Sequence, residues 1–360
     1  MTDQKTDHFK KVFLFLIIIL TLKWTMAMDN KTVNMPGDIL FHKLDSLEGF
    51  EVKARKAEIK EVNGSPALEL DGMIVFPNQK LSDAHIEVEI LARGSCYPGI
   101  AFRIVDDKNY ELAYAVPHVS NQVDAIQYDA VFNGSNTWQL YNGEPYQKKA
   151  TIPTGKWFTL RIDITGSRAS IQVGDQAPLI VEHLSHPDTP GAIGLWTYQP
   201  AFFRNLKVTT PTEITLHGKS AAAPRGTIPA WKHERGGVLK CEPGGILNLN
   251  RYMSLAKEPV KLSRSFQLSS PTTVRIGVGF SDTLTLFIDA KEVFQGSHIF
   301  KGFANIASRG WVSPNQETIE LPLAAGIHEI RAELGVTEPF GWGLLVTLNG
   351  EGLQLLRPQH

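Results

Sequence analysis

Hydrophobic and polar residues alternate along short segments between Asp38 and about Thr210, with turn residues between the segments. In "AHIEVEILARG", for example, Ile86, Val88 and Ile90 fall on one side of an extended chain, and two glutamates fall on the other. Because side chains on a strand point alternately to the two faces, this pattern predicts antiparallel strands with one buried face. Many such strands with no helical segment between them predict an all-β sandwich or barrel.

The alternation stops at residues 211–235, "PTEITLHGKSAAAPRGTIPAWKHER", which are small, proline-bearing and aperiodic. It resumes in segments such as "TTVRIGVGF" and "DTLTLFIDAKEVFQG", where Asp289-Ala290-Lys291 is the expected hairpin turn. We therefore predict two β-sandwich (jelly-roll) domains, residues 37–210 and 236–356, which a linker at 211–235 joins.

The N-terminus carries a targeting signal. Three lysines precede "VFLFLIIILTL" at residues 12–22, an unbroken apolar run of eleven. A membrane-spanning helix needs about 20 apolar residues, so this run fits a signal peptide that ends at the small residue Ala27. We predict a signal peptide at 1–27, a tail at 28–36, and a secreted, periplasmic or cell-envelope protein that leaves the membrane after cleavage. An uncleaved anchor, with Lys23 and Trp24 at the membrane interface, is the alternative.

Charge and cysteine content exclude several kinds of site. The 36 Lys and Arg residues nearly balance the 37 Asp and Glu residues, and no basic run appears, so nucleic acid is not an expected partner. The chain has two cysteines, Cys96 and Cys241, and no CxxC pair, so a zinc site made of cysteines is excluded. The two residues form either one disulfide between the domains or two separate thiols, the interpretation that we favour. The sequence leaves the oligomeric state open and predicts no cofactor.

Three phrases of the first domain carry a family resemblance: "AFRIVDDKNYELAY", "GKWFTLRIDITGSRASIQVGD" and "GAIGLWTYQPAFFRNLKV". Together they resemble the concanavalin A-like, laminin G-like jelly roll. The last is also similar to the domain of bacterial secreted proteins called 3-keto-disaccharide hydrolases, which are relatives of family 16 glycosidases. The resemblance covers about residues 37–210 and implies a bacterial source and a carbohydrate partner.

The second domain is similar to galactose-binding-like β-sandwich modules. The phrases that carry this resemblance are "GFSDTLTLFIDAKEVFQG", "ELPLAAGIHEIRAEL" and "EPFGWGL". It implies an architecture for residues 236–356 and no binding residues.

Family 16 glycosidases carry three acids at alternate positions of one strand, which places nucleophile and acid on the same face about 5–5.5 Å apart. The nearest phrase in this chain, "HIEVEILA", supplies Glu87 and Glu89 and then Leu91 where the third acid belongs. We interpret the two glutamates as a solvent-facing pair and do not predict family 16 chemistry.

A polar surface on the first domain is the predicted carbohydrate site. We expect the large apolar residues of "GIAFRIV", "NYELAYAV" and the predicted strand "TWQLYNG" to face the core, which turns the residues between them outward. The connecting loop adds further groups at one rim. The predicted ligand-binding residues are Arg103, Glu111, His118, Gln127, Asn133, Gln139 and Tyr141. Amide, carboxylate and guanidinium groups beside an aromatic ring suit the hydroxyls and C–H edges of a sugar. A simple cross-strand ion pair of Arg103 with Glu111 is the alternative.

Glu111, His118 and Asp124 are the candidates for acid–base catalysis, since general acids and bases are carboxyl and imidazole groups placed beside the substrate. No metal is predicted. Calcium at Asp106 and Asp107 is an alternative to their ending a strand, which we favour. Three functions follow: a carbohydrate-binding protein, which we favour, a hydrolase of the 3-keto-disaccharide type, and a structural envelope module without a specific ligand.

Overall fold

The computed structural model describes residues 38–358. The predicted signal peptide and the tail at 28–36 lie outside the described residues. Secondary structure between 38 and 358 is nearly all β, which confirms the predicted fold class. Three short 3-10 helices interrupt the strands at Pro117–Val119, Leu249–Arg251 and Ile306–Arg309. Within the same residues, no helix has the length and apolar character that crossing a membrane requires.

Twelve strands form the sheet of the first domain. They are β1 (Asp38–His42), β2 (Glu51–Val62), β3 (Ser65–Leu81), β4 (Ala84–Leu91), β5 (Gly99–Asp106), β6 (Asn109–Ala115), β7 (Ile126–Val131), β8 (Gln147–Lys148), β9 (Trp157–Thr165), β10 (Arg168–Val173), β11 (Leu179–Val181) and β12 (Gly191–Thr209).

The long strand β12 belongs to both layers of the first domain. Residues 191–197 pair with β3 and β5, and residues 202–209 pair with β4 and, from 206, with β1. Strand β3 pairs again with residues 201–203. Gln199 lies between the two halves with a φ of 66°, where the chain leaves one layer for the other. One layer continues from β5 through β6 and β7 to β8, and the other from β4 through β9 and β10 to β11.

The layer that contains β5 and β6 is buried on both faces. Ile100 and Phe102 lie in the main core between the layers, whereas Ala101 and Leu112 belong to a second apolar cluster. Because successive side chains of a strand point to opposite faces, the second cluster covers the far side of this layer. The expectation that only one face is buried is therefore wrong for these strands.

The second domain is a smaller sandwich of two sheets, β14-β13-β16-β21-β18-β19 with β23 beside β16, and β15-β22-β17-β20. Its strands are β13 (Ala230–His233), β14 (Val238–Lys240), β15 (Leu247–Asn248), β16 (Val260–Leu268), β17 (Thr272–Ser281), β18 (Thr283–Ile288), β19 (Lys291–Ser297), β20 (Glu317–Leu323), β21 (Gly326–Gly335), β22 (Gly343–Asn349) and β23 (Leu353–Leu355). Trp231 and Trp342 are fully buried in its core. Asp289 and Ala290, at φ values of 48° and 66°, make the two-residue turn from β18 to β19, which confirms the predicted hairpin.

The segment predicted as a linker packs against both domains. Ile228 and Trp231, inside residues 211–235, are buried in the second core, and β13 lies within the same range. On the other side, Arg168 of the first domain donates a hydrogen bond to the carbonyl oxygen of Ile214 at 2.8 Å. The ordered structure of the second domain thus begins before residue 236.

The loop that follows β7 joins the two domains. Sequence alternation predicts a strand in "TWQLYNG", but residues 137–143 form turns. The backbone N–H of Gln139 donates to the carbonyl oxygen of Phe340 at 2.7 Å, and that of Val312 donates to the oxygen of Gln139 at 2.8 Å. The Trp138 ring lies 5.5–6.1 Å, between centroids, from four aromatic rings of the second domain, those of Phe300, Phe303, Trp311 and Phe340. Trp138 is buried as expected, but in the interface between domains.

Both cysteines are free thiols. Cys96 is buried in the first core, and its sulfur lies 3.5 Å from the carbonyl oxygen of Gly94. Cys241 is half-buried against the second core, with its sulfur 3.1 Å from the carbonyl oxygen of Ile228. The structure thus supports two separate thiols.

Candidate functional site

Arg103 does not face solvent. It lies at an irregularity in the pairing of β5 with β6 and has a φ of 48°, which departs from regular strand geometry. Its buried guanidinium donates to the carbonyl oxygens of Ser82 at 3.0 Å and of Gly166, and to the Asp188 carboxylate at 2.9 Å. The outward orientation predicted for Arg103 is wrong, and its close ion pair is with Asp188 instead of Glu111.

Glu111 lies inside the main core. The sequence analysis placed Tyr110, Leu112 and Tyr114 inward, but the structure turns these three to the far face and Glu111 to the core between the layers. There its carboxylate accepts hydrogen bonds from the Tyr128 hydroxyl at 2.7 Å and the His186 backbone N–H at 2.8 Å. Burial raises the pKa of Glu111, although these donors act in the opposite direction. The prediction of an exposed, ligand-facing Glu111 is wrong.

Three other predicted ligand-binding residues hold the domains together. The Asn133 side chain donates to the carbonyl oxygen of Asn250 at 2.7 Å. The Tyr141 hydroxyl donates to the Glu242 carboxylate at 2.7 Å. Gln139 accepts a hydrogen bond from the Ser281 hydroxyl at 2.6 Å and donates one to the Glu338 carboxylate at 3.2 Å. The predicted exposure of Gln139 and Tyr141 is wrong, because the second domain covers both.

A connected set of rings lies on the far side of the layer of β5 and β6, which we call the aromatic face: Tyr97, Tyr114, His118, Trp196 and Tyr198. The ring of Tyr97 has its centroid 4.9 Å from His118 and 5.9 Å from Tyr198, and Tyr114 lies 5.8 Å from Trp196. Tyr198 is 51% exposed, and Tyr97, His118 and Trp196 are half-buried. The aromatic face thus offers ring surface to solvent.

Polar groups adjoin the aromatic face through the register of β6 with β7. Tyr114 pairs with Gln127 and Leu112 pairs with Asp129, so Gln127 and Asp129 share the face of Tyr114. The Tyr114 hydroxyl donates to the Gln127 side-chain oxygen at 3.0 Å, and the Gln127 amide donates to the backbone oxygen of Asp124 at 2.8 Å. This chain of hydrogen bonds fixes the loop that carries Asp124.

Asp129 is a buried carboxyl group with an unusual pKa. One oxygen accepts from the Thr137 backbone and hydroxyl, both at 2.7 Å. The other oxygen has no hydrogen-bond partner among residues 38–358. Burial raises the pKa of Asp129 to about 7, although the Thr137 donors and the Tyr114 hydroxyl act in the opposite direction. A carboxyl group of this kind exchanges a proton near neutral pH.

His118 and Asp124 also keep polar atoms without partners. The Nδ1 atom of His118 and the Oδ1 atom of Asp124 are buried and make no hydrogen bond within the described part of the chain. Burial lowers the pKa of His118, and the Asp124 carboxylate opposes this shift. The other Asp124 oxygen lies 2.5 Å from a guanidinium nitrogen of Arg309, which belongs to the second domain. Buried polar atoms are normally paired, so these two atoms are exceptions.

The structure therefore gathers only part of the predicted site. His118, Gln127 and Asp124 lie at the aromatic face, whereas Arg103, Glu111, Asn133, Gln139 and Tyr141 do not. Sequence reasoning missed Tyr97, Tyr114, Trp196, Tyr198 and Asp129 as site residues. Two signals point to three of them: aromatic residues two positions apart in "WTYQP", Trp196 and Tyr198, which share one face of a strand, and the acid Asp129 inside the apolar strand "IQYDAV".

The two acids considered for calcium end a strand. The Asp106 carboxylate accepts from the Lys108 backbone N–H at 2.8 Å and from the Asn109 side chain at 2.9 Å. Asp107 forms an ion pair with Lys53 at 3.2 Å. Across residues 38–358, no three His, Cys, Asp or Glu side chains come together as a metal site would require.

Glu87 and Glu89 occupy the outer face of β4, as expected. Glu87 accepts a hydrogen bond from Arg161 at 2.8 Å, and Glu89 accepts one from Arg204 at 2.6 Å. Both carboxylates are half-buried in these ion pairs. Glu87 and Glu89 therefore act in ion pairs, and the strand offers no third acid.

Comparison with known proteins agrees with the predicted resemblance of the first domain. Residues 41–209, less than half of the chain, match the model of the 3-keto-alpha-glucoside-1,2-lyase-like domain. No curated protein matches the chain. The resemblance of the second domain to galactose-binding-like modules stays a prediction.

Several solved structures are similar to about half of the chain. A carbohydrate-binding module, CBM66 from Bacillus subtilis, is 18% identical, and the match covers 45% of this chain and 96% of that one with a TM-score of 0.35. The β-glucanase of Bacillus licheniformis is 10% identical over 49% of this chain and 100% of its own, with a TM-score of 0.35. A putative glycosyl hydrolase from Parabacteroides distasonis is 15% identical over 48% and 99%, with a TM-score of 0.33.

Proposed function

We propose that this protein is an exported carbohydrate-binding protein whose first domain binds a glycan on the aromatic face. The observation that carries this proposal is the combination of half-exposed rings with buried polar atoms that lack partners within residues 38–358. The match of residues 41–209 to a family named for a glucoside supports the same class of ligand.

The geometry suits a sugar for two reasons. Trp196 and Tyr198 present ring surface on which the C–H edges of a pyranose stack, and His118 lies on the same surface. The unpartnered atoms of His118 and Asp124 are an imidazole nitrogen and a carboxylate oxygen, which exchange hydrogen bonds with hydroxyl groups. A few polar groups beside aromatic walls are typical of small-molecule sites.

Replacing one ring of the aromatic face tests the proposal. A glycan array, followed by calorimetric titration of each hit, identifies the ligand of the wild-type protein. We expect Trp196→Ala to weaken that affinity roughly tenfold, since an aromatic contact contributes about 0.5–1.5 kcal/mol beyond burial. Trp157→Ala is the matched control. Trp157, on β9, is also half-buried, but its ring lies under the guanidinium of Arg204, away from the aromatic face. Equal loss in both variants, or no ligand on the array, contradicts a binding role for this face.

A lyase acting on a 3-keto glucoside is the second candidate, which the family match and the pKa values of His118 and Asp129 favour. In such a sugar the carbonyl at C3 makes the hydrogen on C2 acidic. Removal of this proton with loss of the C1 oxygen leaves a C1–C2 double bond, so a base near C2 and a proton donor near C1 are needed. His118, whose pKa burial lowers, is the candidate base, and Asp129, whose pKa burial raises, is the candidate donor.

Turnover of a 3-keto disaccharide tests this candidate. We expect His118→Asn to abolish product release without unfolding the protein, and deuterium at C2 to slow the wild-type reaction. His85→Asn is the matched control, since His85 is also half-buried but bonds Asp163 at 2.8 Å on the other layer. Glycan binding without any product excludes the lyase and leaves the binding role in place.

A further inference from the structure

The second domain reaches the aromatic face through one segment, residues 298–316, which connects β19 to β20. Phe303 of this segment packs against the apolar cluster that underlies the face. Its ring centroid lies 5.6 Å from that of His118 and 6.1 Å from that of Trp138. A side chain of the second domain therefore lines the surface that the first domain presents.

Arg309, from the same segment, is buried to 3% exposure and bonds two residues of the first domain. Its guanidinium donates to the Asp124 carboxylate at 2.5 Å and to the Gln122 side-chain oxygen at 3.0 Å. The guanidinium also lies over the ring of Trp311, 4.8 Å from the ring centroid, and this contact fixes the plane of the guanidinium. Two hydrogen bonds from one planar guanidinium fix the positions of their acceptors more strictly than a lysine ammonium group does.

Asp124 depends on this arginine for charge balance. The carboxylate is fully buried, and Arg309 is the only arginine or lysine in an ion pair with it among residues 38–358. The other titratable groups that sense its charge are His118, Tyr97 and Tyr114. A buried charge without a partner is costly, so loss of the arginine would leave a protonated His118 ring as the counter-charge to Asp124.

We propose that the second domain completes the site on the aromatic face, with Arg309 as the positioning residue that holds the Asp124 carboxylate beside His118 and with Phe303 as one wall. This inference rests on the proposed function for the identity of the ligand. It gives the second domain a role in the first domain's site.

Variants of Arg309 test this role in the full-length protein. Arg309→Gln removes the charge, and Arg309→Lys keeps the charge but loses the planar fork. Arg251→Gln is the matched control, because Arg251 is also an arginine of the second domain and crosses the interface to the Ser185 carbonyl oxygen at 2.9 Å, away from His118. Phe303→Leu keeps an apolar side chain and removes the ring.

Two readouts separate the inference from the proposed function. The first is the titration of the His118 ring by NMR, which needs no ligand. Removing the guanidinium leaves the Asp124 charge uncompensated, so the pKa of the His118 ring rises in Arg309→Gln and stays at the wild-type value in Arg251→Gln. The second is affinity for the best glycan of the array, which we expect to fall at least about tenfold in Arg309→Gln and roughly three- to tenfold in Phe303→Leu.

Arg309→Lys keeps the test decisive where Arg309→Gln fails to fold. We expect the lysine variant to fold, to keep the His118 pKa close to the wild-type value, and to lose affinity because its single ammonium group cannot hold Asp124 and Gln122 together. An unchanged His118 titration in Arg309→Gln, or affinities equal to wild type in the Arg309 and Phe303 variants, overturns the inference. If the wild-type protein binds no glycan, the proposed function fails, and the His118 titration alone still decides whether Arg309 positions the pair.

Discussion

The aromatic face and the interface between the domains bury the same kinds of polar side chain in different ways. At the interface, Gln139 bonds Ser281 and Glu338, and Tyr141 bonds Glu242. At the aromatic face, one carboxylate oxygen of Asp129 and one of Asp124 have no partner in the described residues. The Gln139 and Tyr141 side chains are therefore paired within the protein, whereas these two oxygens at the aromatic face are not.

This difference shows that residue type does not identify a binding site. Asn, Gln and Tyr in "FNGSNTWQLYNG" match the composition of a sugar-binding loop, and each of Asn133, Gln139 and Tyr141 bonds the second domain. Those bonds cross between residues more than 100 positions apart, so the pattern around each residue does not reveal them. The hydrogen-bond partners of a polar group decide its role.

Trp138 offers the largest test of the interface. Its ring contacts four aromatic rings of the second domain and is nearly excluded from solvent. Trp138→Ala should lower the free energy of unfolding by about 3–5 kcal/mol, the usual cost of emptying a large aromatic site. Urea unfolding followed by circular dichroism measures this loss, with Trp138→Phe as the milder control. A loss under about 1 kcal/mol means that the segment does not join the domains.

Asp129 gives the largest test of the aromatic face, through pH. Its pKa is about 7 in the folded protein and near 3.8 when unfolded, so the folded state binds the proton more tightly. The contribution of Asp129 to stability should therefore fall as the pH rises from about 4 through 7, by up to roughly 4 kcal/mol at about 1.4 kcal/mol per unit. Asp129→Asn keeps the oxygen that accepts from Thr137 and cannot ionise. It should be more stable than wild type at pH 8 and similar at pH 4.

Thermal unfolding at pH 4, 6 and 8 measures the effect of Asp129→Asn. Asp175→Asn is the control, since Asp175 is fully exposed and should not change the pH profile. If Asp129→Asn and wild type show the same dependence of stability on pH, Asp129 is already ionised in the folded protein at pH 6. That result would contradict a pKa of about 7.

Much of the fold follows from the sequence because alternation and turn residues are local signals. The hairpin of β18 with β19 lies where period-two alternation and turn residues place it. The orientation of β6 does not follow from the sequence. Its segment "NYELAYA" is buried on both faces, so neither set of alternate residues is the more exposed one. Glu111 is tolerated in the core since Tyr128 and His186 supply its donors, and those partners lie 17 and 75 residues away.

Gln139→Ala tests whether this side chain serves the interface between the domains or the binding of a ligand. The variant removes the acceptor of the Ser281 hydroxyl and one donor to Glu338, so stability should fall by about 1–3 kcal/mol. Glycan affinity should stay at the wild-type value, because Gln139 is enclosed by the second domain. Trp196→Ala should instead lower the glycan affinity, and calorimetric titration with urea unfolding measures both variants. Loss of affinity without loss of stability in Gln139→Ala would return this residue to the binding site.

Calcium removal has the smallest expected effect. Asp106 accepts hydrogen bonds from the Lys108 backbone and the Asn109 side chain, and Asp107 forms an ion pair with Lys53. The turn is therefore held without an ion. The Tm should be the same in calcium and in EDTA, for wild type and for Asp106→Asn, which keeps one acceptor oxygen. A real site held at a hundred times its Kd would lose about 2.7 kcal/mol in EDTA. If wild type loses stability of that size in EDTA and Asp106→Asn does not, the two acids are calcium ligands. Their hydrogen bonds in the turn would then describe only the metal-free protein.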